Sequence, residues 1–137
     1  MDCAFCRIAR GDLPAAKVWE SADFLAILDL FPTTEGMTVL MTKAHEDSYV
    51  FRLPESRYLA FLAAARTVGT LLERALQVPR VILLAEGLEV PHAHLKLYPL
   101  PAGRPFVAGG GKKADPAALQ DLAGRIRAAQ EQKRPPV

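Results

Sequence analysis

The segment Val90-Pro-His-Ala-His-Leu-Lys-Leu-Tyr-Pro-Leu100 carries two of the three histidines of this 137-residue chain. Polar and apolar residues alternate over 92–98, which predicts a β-strand whose two faces differ in chemistry. One face carries His92, His94, Lys96 and Tyr98, and the other carries Ala93, Leu95 and Leu97. We expect the apolar face to lie in the core. A half-solvated strand explains the alternation but does not require histidine, so the polar face is a candidate functional site.

The composition bounds the class of protein. Half of the residues are apolar and 23% are charged, as in ordinary globular domains. We predict a single domain, 1–137, with a motif-bearing core at 1–99, a Gly/Pro-rich loop at 100–114 and a C-terminal helix at 115–132. A net charge of +2 offers no concentrated basic face for nucleic acid. No segment has the pattern of a membrane span or a signal peptide, so we expect a cytoplasmic protein without a structural disulfide.

The remaining hydrophobic pattern predicts an α+β domain. A short helical turn is expected at 4–10, and strands are expected at 17–20, 24–29, 37–42 and 80–85. Apolar residues recur at three- and four-residue steps over 54–77, which predicts one long amphipathic helix. Asp115-Pro116 has the residue types of an N-cap and a first helical position. The predicted fold is a five-stranded antiparallel sheet with the long helix inserted between strands 3 and 4 and a C-terminal helix.

Cys3-Ala-Phe-Cys6 is a C-x-x-C motif with more than one interpretation. It fits a redox pair, half of a zinc site, or two unrelated small apolar residues. A thioredoxin-like pair follows a strand, whereas only two residues precede Cys3 here. A four-ligand zinc site needs two further ligands, which must come from the three histidines at 45, 92 and 94. His45 is equally well explained as a surface residue that follows a strand.

The polar face of the 92–98 strand suits chemistry on a phosphate. Histidine serves as a metal ligand, and near neutral pH it also acts as a nucleophile or general base. A neighbouring cation stabilises the charge on phosphate oxygens during transfer. His94 with Lys96 is therefore a candidate phosphate-facing pair.

Together these motifs resemble the histidine triad (HIT) family, and within it the zinc-binding bacterial type. The family signature is His-φ-His-φ-His-φ-φ, where φ is apolar, and this chain has HAHLKLY at 92–98, with lysine at the third histidine. The segment CAFCRIARGDLPAAKVWES resembles the family's C-x-F-C-K-I followed by G-x-I-P-A-x-x-V-x-E. FLAILDLFPTTEGMTVLMTKAH resembles its L-A-F-L-D-I-x-P-x-x-x-G-H-x-L-V-x-P-K-x-H. The resemblance covers residues 3–99.

The resemblance implies a HIT-like fold and a homodimer with one continuous sheet. It implies that His94 attacks the α-phosphate of a nucleotide to form a nucleotidyl-histidine intermediate, with Lys96 beside the phosphate and Asp29 on the ribose hydroxyls. It implies a structural zinc ion held by Cys3, Cys6, His45 and His92. The apolar wall of the base pocket is implied to consist of Phe5, Ile8, Leu13, Ile27 and Leu30.

Two departures from the family pattern bear on activity. The lysine at 96 is a cation with three donors, so phosphate binding survives while proton delivery to the leaving group can differ. The segment AEGLEVP at 85–91 is shorter than the family's N-x-G followed by G-Q-[ST], and it puts Glu89 near the expected polar positions. Glu89 either pairs with Lys96, which weakens the phosphate site, or points to solvent.

Three functions are compatible with these residues. The first is a HIT-type hydrolase or transferase acting on a dinucleoside polyphosphate or a nucleoside phosphoramidate. The alternative is a zinc-stabilised nucleotide-binding module with little or no catalysis, and the third is a redox protein using the two cysteines. The Gly-Gly-Gly-Lys-Lys run at 109–113 fits either a phosphate cradle or a mobile loop that closes over a nucleotide, although it lacks the spacing of a Walker motif.

Overall fold

The computed structural model describes residues 3–130, which form one antiparallel sheet with helices on both faces. The elements are α1 (Ala4–Arg10), β1 (Lys17–Glu20), β2 (Phe24–Leu28), β3 (Thr38–Thr42), a 3-10 turn (Val50–Arg52), α2 (Glu55–Leu76), β4 (Arg80–Leu84), β5 (His94–Leu100) and α3 (Pro116–Gln130). The strand order is β1-β2-β3-β5-β4. The predicted α+β fold is confirmed, including the long helix between the third and fourth strands. Within the described residues, no helix has the length and apolarity that crossing a membrane requires.

The two faces of the sheet bury different residues. One face packs against α2 and α3 in a core that includes Ala93, Leu95 and Leu97, as the alternation predicted. The other face is smaller and packs against α1 through Leu25, Ile27, Val39, Met41 and the α1 side chains Phe5 and Ile8. On this face, the register pairs Met41 with His94 and Val39 with Lys96. Cross-strand partners share a face, so the side chains of His94 and Lys96 lie on the face of the sheet that packs against α1.

Strand β5 is displaced along the chain relative to its predicted range of 92–98. It begins at His94, which pairs with Met41 of β3, and it ends at Leu100, which pairs with Arg80 of β4. The pairing with β3 stops earlier, at Leu97. Pro99 therefore has only one neighbouring strand, where its missing amide is tolerated. His92 lies in a turn instead, with its amide donating to the Val90 carbonyl at 2.8 Å.

The Gly/Pro-rich segment after β5 is tied to the sheet by its backbone. The amides of Gly111 and Ala114 donate to the carbonyls of Phe31 and Leu30 at 2.7 and 2.8 Å. The Gly109 amide donates to the Tyr98 hydroxyl at 3.2 Å. Two amides of the 109–113 run, those of Gly109 and Gly111, are thus bonded within the protein, which disfavours the phosphate-cradle interpretation. The helix predicted at 115–132 begins at Pro116, and positions 131–132 lie outside the described residues.

Gly36 lies where the segment before β3 packs closely against the end of α2. Its φ is +83°, and a Cβ there would clash with the Leu76 side chain at the end of α2. We expect Gly36→Ala to lower the free energy of unfolding by about 1–2 kcal/mol, the cost of a left-handed backbone for a residue with a Cβ. Urea denaturation measures the change.

Gly124→Ala is the matched control, because Gly124 lies in the interior of α3 and an added Cβ there meets only an Arg127 nitrogen at an ordinary contact distance of 3.7 Å. We expect this variant to gain about 0.5–1 kcal/mol from helix propensity. Equal effects of the two substitutions would contradict the assignment of strain to Gly36.

Candidate active site

Four side chains of the types that ligate metals, from three separate segments, meet beside the start of β5. Cys3 and Cys6 flank the first turn of α1, His45 follows β3, and His92 precedes β5. Their ligand atoms all lie within 4.8 Å of one another. The Cys3 Sγ lies 3.4 Å from the Cys6 Sγ and 3.2 Å from the His92 Nδ1, and the Cys6 Sγ lies 3.3 Å from the His45 Nδ1. Two thiols and two imidazole nitrogens at these distances form a group that is able to hold a metal ion.

The His92 ring is oriented by a hydrogen bond from its other nitrogen. Nε2 donates to the Thr42 carbonyl at 2.6 Å, which leaves the lone pair of Nδ1 facing the two thiols. The side chain is fully buried, and burial lowers its pKa, which favours the neutral ring that a metal requires. Burial also raises the pKa of the Cys6 thiol. A bound cation would offset that effect by stabilising the thiolate.

The segment that carries His45 is fixed by its next residue. Arg57 of α2 donates to both carboxylate oxygens of Glu46, at 3.0 and 2.8 Å, and these hydrogen bonds hold the pKa of Glu46 below its usual value. The Glu46 carbonyl accepts the amide of Ala93 at 2.9 Å. His45 is exposed, but its backbone is held against both α2 and the start of β5.

His94 has the orientation of a side chain that acts through Nε2. Its Nδ1 lies 2.7 Å from the His92 carbonyl, so Nδ1 carries the proton and donates it. The ring is 3% exposed and makes an edge contact with Phe5 at 5.1 Å between centroids. Burial lowers the pKa of His94. Among residues 3–130, no protein group forms a hydrogen bond with Nε2, whose lone pair is therefore available for attack on an electrophile.

A cavity of about 450 Å³ opens at His94, within the size range of small-molecule sites. Its polar end is lined by His94, Lys96 and Glu89, and its apolar part includes Phe5, Ile8 and Ile27. Asp29 also lines the cavity, and its Oδ1 accepts the Phe31 amide at 2.8 Å. The second carboxylate oxygen has no protein partner among the described residues. The cavity therefore combines an apolar wall, a carboxylate and a histidine–lysine pair.

The cavity brings together most of the predicted pocket residues. Phe5, Ile8, Ile27, Asp29, Leu30 and Glu89 line it, whereas Leu13 does not. Val39 also lines the cavity and was not predicted to do so, although it pairs with Ile27 across the sheet and the alternation of β3 places both on the same face. Three residues of α3 line the cavity without having been predicted: Pro116, Leu119 and Gln120. The Gln120 amide donates to the Ala15 carbonyl at 3.2 Å, a contact over 105 positions that no local pattern signals.

Lys96 and Glu89 form an ion pair inside this cavity. The Lys96 Nζ lies 3.4 Å from the Glu89 Oε2, so the structure realises the paired alternative for Glu89. The Lys96 side chain is 9% exposed and that of Glu89 is 63% exposed. The pair lies beside His94 without removing its ring from the cavity wall.

Comparison with known proteins identifies relatives over most of the chain. No family model matches the chain. An uncharacterized HIT-like protein of Mycobacterium tuberculosis is 29% identical over 135 residues, 92% of this chain and 90% of that protein. An uncharacterized HIT-like protein of Mycoplasma pneumoniae is 30% identical over 102 residues, 72% of this chain and 71% of that protein. An adenosine 5'-monophosphoramidase of Saccharomyces cerevisiae is 28% identical over 102 residues, 71% of this chain and 61% of that protein.

Solved structures share the fold. A hypothetical histidine triad nucleotide-binding protein of Sulfolobus tokodaii superposes with a TM-score of 0.82 at 24% identity, over 94% of this chain and 92% of that one. A Zn-bound histidine triad family protein of Mycobacterium smegmatis superposes with a TM-score of 0.70 at 28% identity, over 94% of this chain and 93% of that one. With the Mycoplasma pneumoniae relative, these similarities establish that the chain belongs to the histidine triad (HIT) family.

Proposed function

We propose that the protein is a nucleotide-binding hydrolase of the HIT type that acts on the α-phosphate of a nucleoside phosphoramidate or a dinucleoside polyphosphate. The observation that carries the proposal is the 2.7 Å contact between the His94 Nδ1 and the His92 carbonyl, which leaves Nε2 as a free nucleophile on the cavity wall. The yeast relative named as an adenosine 5'-monophosphoramidase supports the same reaction class.

The cavity suggests how each part of a nucleotide is held. The base lies against the apolar wall formed by Phe5, Ile8 and Ile27, and the ribose hydroxyls donate to the Asp29 carboxylate. The α-phosphate then lies at the polar end, where the buried Lys96 ammonium donates to its non-bridging oxygens.

The reaction proceeds in two displacements at phosphorus. The His94 Nε2 lone pair forms a bond to phosphorus while the bond to the leaving nitrogen or oxygen breaks, and the leaving group keeps the electron pair and takes up a proton from solvent water. The positive charge on the ring is stabilised by the hydrogen bond from Nδ1 to the His92 carbonyl. Water then attacks phosphorus, breaks the bond to Nε2 and releases the nucleoside monophosphate with His94 restored.

Removal of the nucleophile tests this function. We expect His94→Ala and His94→Asn to lower kcat for adenosine phosphoramidate at least about a thousandfold, because neither side chain attacks phosphorus. Asparagine keeps an N–H for the His92 carbonyl, so His94→Asn separates loss of the nucleophile from loss of that hydrogen bond. Steady-state hydrolysis with adenosine phosphoramidate and diadenosine tetraphosphate provides the measurement. Full activity of His94→Asn would refute the role of Nε2.

The ion pair between Lys96 and Glu89 favours a second candidate function, a nucleotide-binding module with little or no turnover. A carboxylate 3.4 Å from the ammonium partly neutralises the cation that would stabilise phosphate charge. Absence of hydrolysis by the wild-type protein, with nucleotide still bound in calorimetry, would select this function over the hydrolase.

We further propose that Cys3, Cys6, His45 and His92 hold a structural zinc ion. Zinc bound tetrahedrally to two sulfurs and two nitrogens has ligand–ligand distances of about 3.3–3.8 Å, as follows from its usual bond lengths. The sulfur–sulfur separation and the four sulfur–nitrogen separations, 3.2–3.7 Å, are close to that geometry. The Zn-bound Mycobacterium smegmatis relative supports the same metal. Zinc would tie α1 to the segment after β3 and to the turn before β5.

Metal analysis tests the zinc proposal with the same substitution, histidine to asparagine, at a proposed ligand and at a histidine that is not a ligand. We expect the purified wild-type protein to contain about one zinc ion per chain, and His45→Asn to lower that content at least about tenfold. His94→Asn is the matched control, because it replaces a histidine that is not a ligand. Elemental analysis after dialysis against a weak chelator gives both values. The same zinc content in both variants would contradict the proposed ligand set.

The family resemblance and the sheet edge together support a homodimer. Strand β4 pairs only with β5 among the described residues, so its other edge has free backbone groups. The apolar side chain of Leu83 on β4 is 46% exposed. We propose that a second copy of the chain covers this edge and continues the sheet.

A charge on the β4 edge should dissociate the dimer. We expect Leu83→Glu to raise the dimer dissociation constant at least about tenfold, because it buries a carboxylate in an apolar contact. Sedimentation equilibrium measures the constant. Val107→Glu is the control, since Val107 is 59% exposed in the segment after β5. A monomeric wild-type protein at micromolar concentration would refute the proposal.

A further inference from the structure

Glu89 lies at the mouth of the cavity, and His94 lies at its inner end. The fraction of the side chain that is exposed is 63% for Glu89 and 9% for Lys96, while the His94 residue is 3% exposed. All three line the same cavity. Because Glu89 pairs with Lys96 and lines the same cavity as His94, a ligand bound at His94 and Lys96 lies near the Glu89 carboxylate.

The backbone fixes the position of Glu89. Gly87, two residues earlier, has a φ of +68°, and a Cβ there would clash with the Ser48 carbonyl. On the C-terminal side of Glu89, the His92 amide donates to the Val90 carbonyl at 2.8 Å. The turn at 86–91 is thus packed against the segment that follows His45. The fold sets the position of the Glu89 backbone, whereas its carboxylate is 63% exposed.

The charges that line the cavity are unbalanced. Among the described lining residues, Lys96 is the only lysine or arginine, whereas Asp29 and Glu89 are both carboxylates. Lys96 already has Glu89 as a partner at 3.4 Å. A phosphate that binds Lys96 competes with this carboxylate for one ammonium charge, so the negative charge of Glu89 is then less fully balanced. Additional phosphates would meet that charge with no further cation on the cavity wall.

The direction of the displacement places the leaving group beside Glu89. In phosphoryl transfer, the attacking and leaving atoms are roughly in line through phosphorus. The attacking Nε2 lies at the inner end, so the leaving group points toward the mouth. We propose that Glu89 is a specificity-determining residue that favours substrates with a cationic leaving amine and disfavours those with an anionic leaving group. This inference rests on the proposed function and narrows its substrate class.

A series of substrates with one nucleotide and three leaving amines tests the inference. The substrates are adenosine 5'-phosphoramidates whose nitrogen carries a 2-aminoethyl, a 2-hydroxyethyl or a carboxymethyl group, which are cationic, neutral and anionic at pH 7. The readout is the ratio of kcat/KM for the cationic substrate to that for the anionic one, in the wild-type protein and in Glu89→Gln. The intrinsic reactivity of each substrate is common to both proteins, so the change in ratio isolates residue 89.

We expect the wild-type ratio to exceed that of Glu89→Gln roughly tenfold at low salt, the size of a screened interaction between charges a few ångströms apart. The difference should shrink as ionic strength rises toward about 1 M, where the screening length falls to about 3 Å. Glu89→Lys should reverse the order of preference. Because residue 89 is exposed, these variants are expected to fold, and thermal unfolding checks this.

Glu73→Gln is the control, because it removes one carboxylate charge from α2 at a residue that does not line the cavity. We expect it to change the ratio less than about twofold, since charge effects fall with distance. Equal ratios in the wild-type protein and Glu89→Gln would overturn the inference, as would an equal effect of Glu73→Gln.

Absence of hydrolysis would refute the proposed function but would still test the inference. The dissociation constants of the three substrates are then measured by calorimetry in the wild-type protein and in Glu89→Gln. Tighter binding of the cationic substrate that depends on Glu89 would support the charge selection in a binding module. Equal affinities for the three substrates in both proteins would overturn it.

Discussion

The arrangement of the candidate site depends on His92, which contributes to two neighbouring groups at once. Its ring nitrogen Nδ1 faces the thiols of Cys3 and Cys6, and its carbonyl accepts the Nδ1 proton of His94. Its Nε2 donates to Thr42 at the end of β3. One residue therefore links the metal-ligating cluster to the tautomer of the candidate nucleophile. A shift of the turn before β5 would disturb both, because they share the same backbone.

The surrounding structure holds that turn from several directions. The amide of Ala93 donates to the Glu46 carbonyl, and Glu46 is held by two hydrogen bonds from Arg57 of α2. Phe5 of α1 makes edge contacts with both His92 and His94, at 5.8 and 5.1 Å between centroids. The long helix, the first helix and the sheet thus meet at one point. Preorganisation of this kind is what a nucleophile needs, since its orientation is then set before a ligand binds.

The residues that line the cavity differ in how deeply they are buried. His94 and Lys96 are buried on a central strand, whereas Glu89 lies on a turn and is largely exposed. In the proposed hydrolase, rigid placement of His94 and Lys96 beside an exposed charge would separate chemistry from selectivity. The turn at 85–91 departs from the family pattern, while the strand beside it keeps His94 in place.

The sequence predicted more of the sheet than of the cavity wall. Alternation along 92–98 identified which side chains of β5 face the core, since strand periodicity is local. The same pattern placed the start of β5 two residues early, because the strand ends where its neighbours stop pairing. The α3 residues Leu119 and Gln120 at the cavity had no local signal, as their position depends on packing far along the chain.

What the sequence by itself determined is the set of chemical groups and the face of the strand that carries them. Residue type and spacing settle which side chains are able to ligate, attack or bind phosphate. Only the tertiary structure decided which groups meet: that Glu89 pairs with Lys96, that Leu13 stays off the cavity wall, and that the His94 Nδ1 donates to a carbonyl. The physical reason is the distance along the chain over which each kind of interaction acts. Alternation and side-chain chemistry act within a few residues, whereas contacts between distant segments arise only when the whole core is packed.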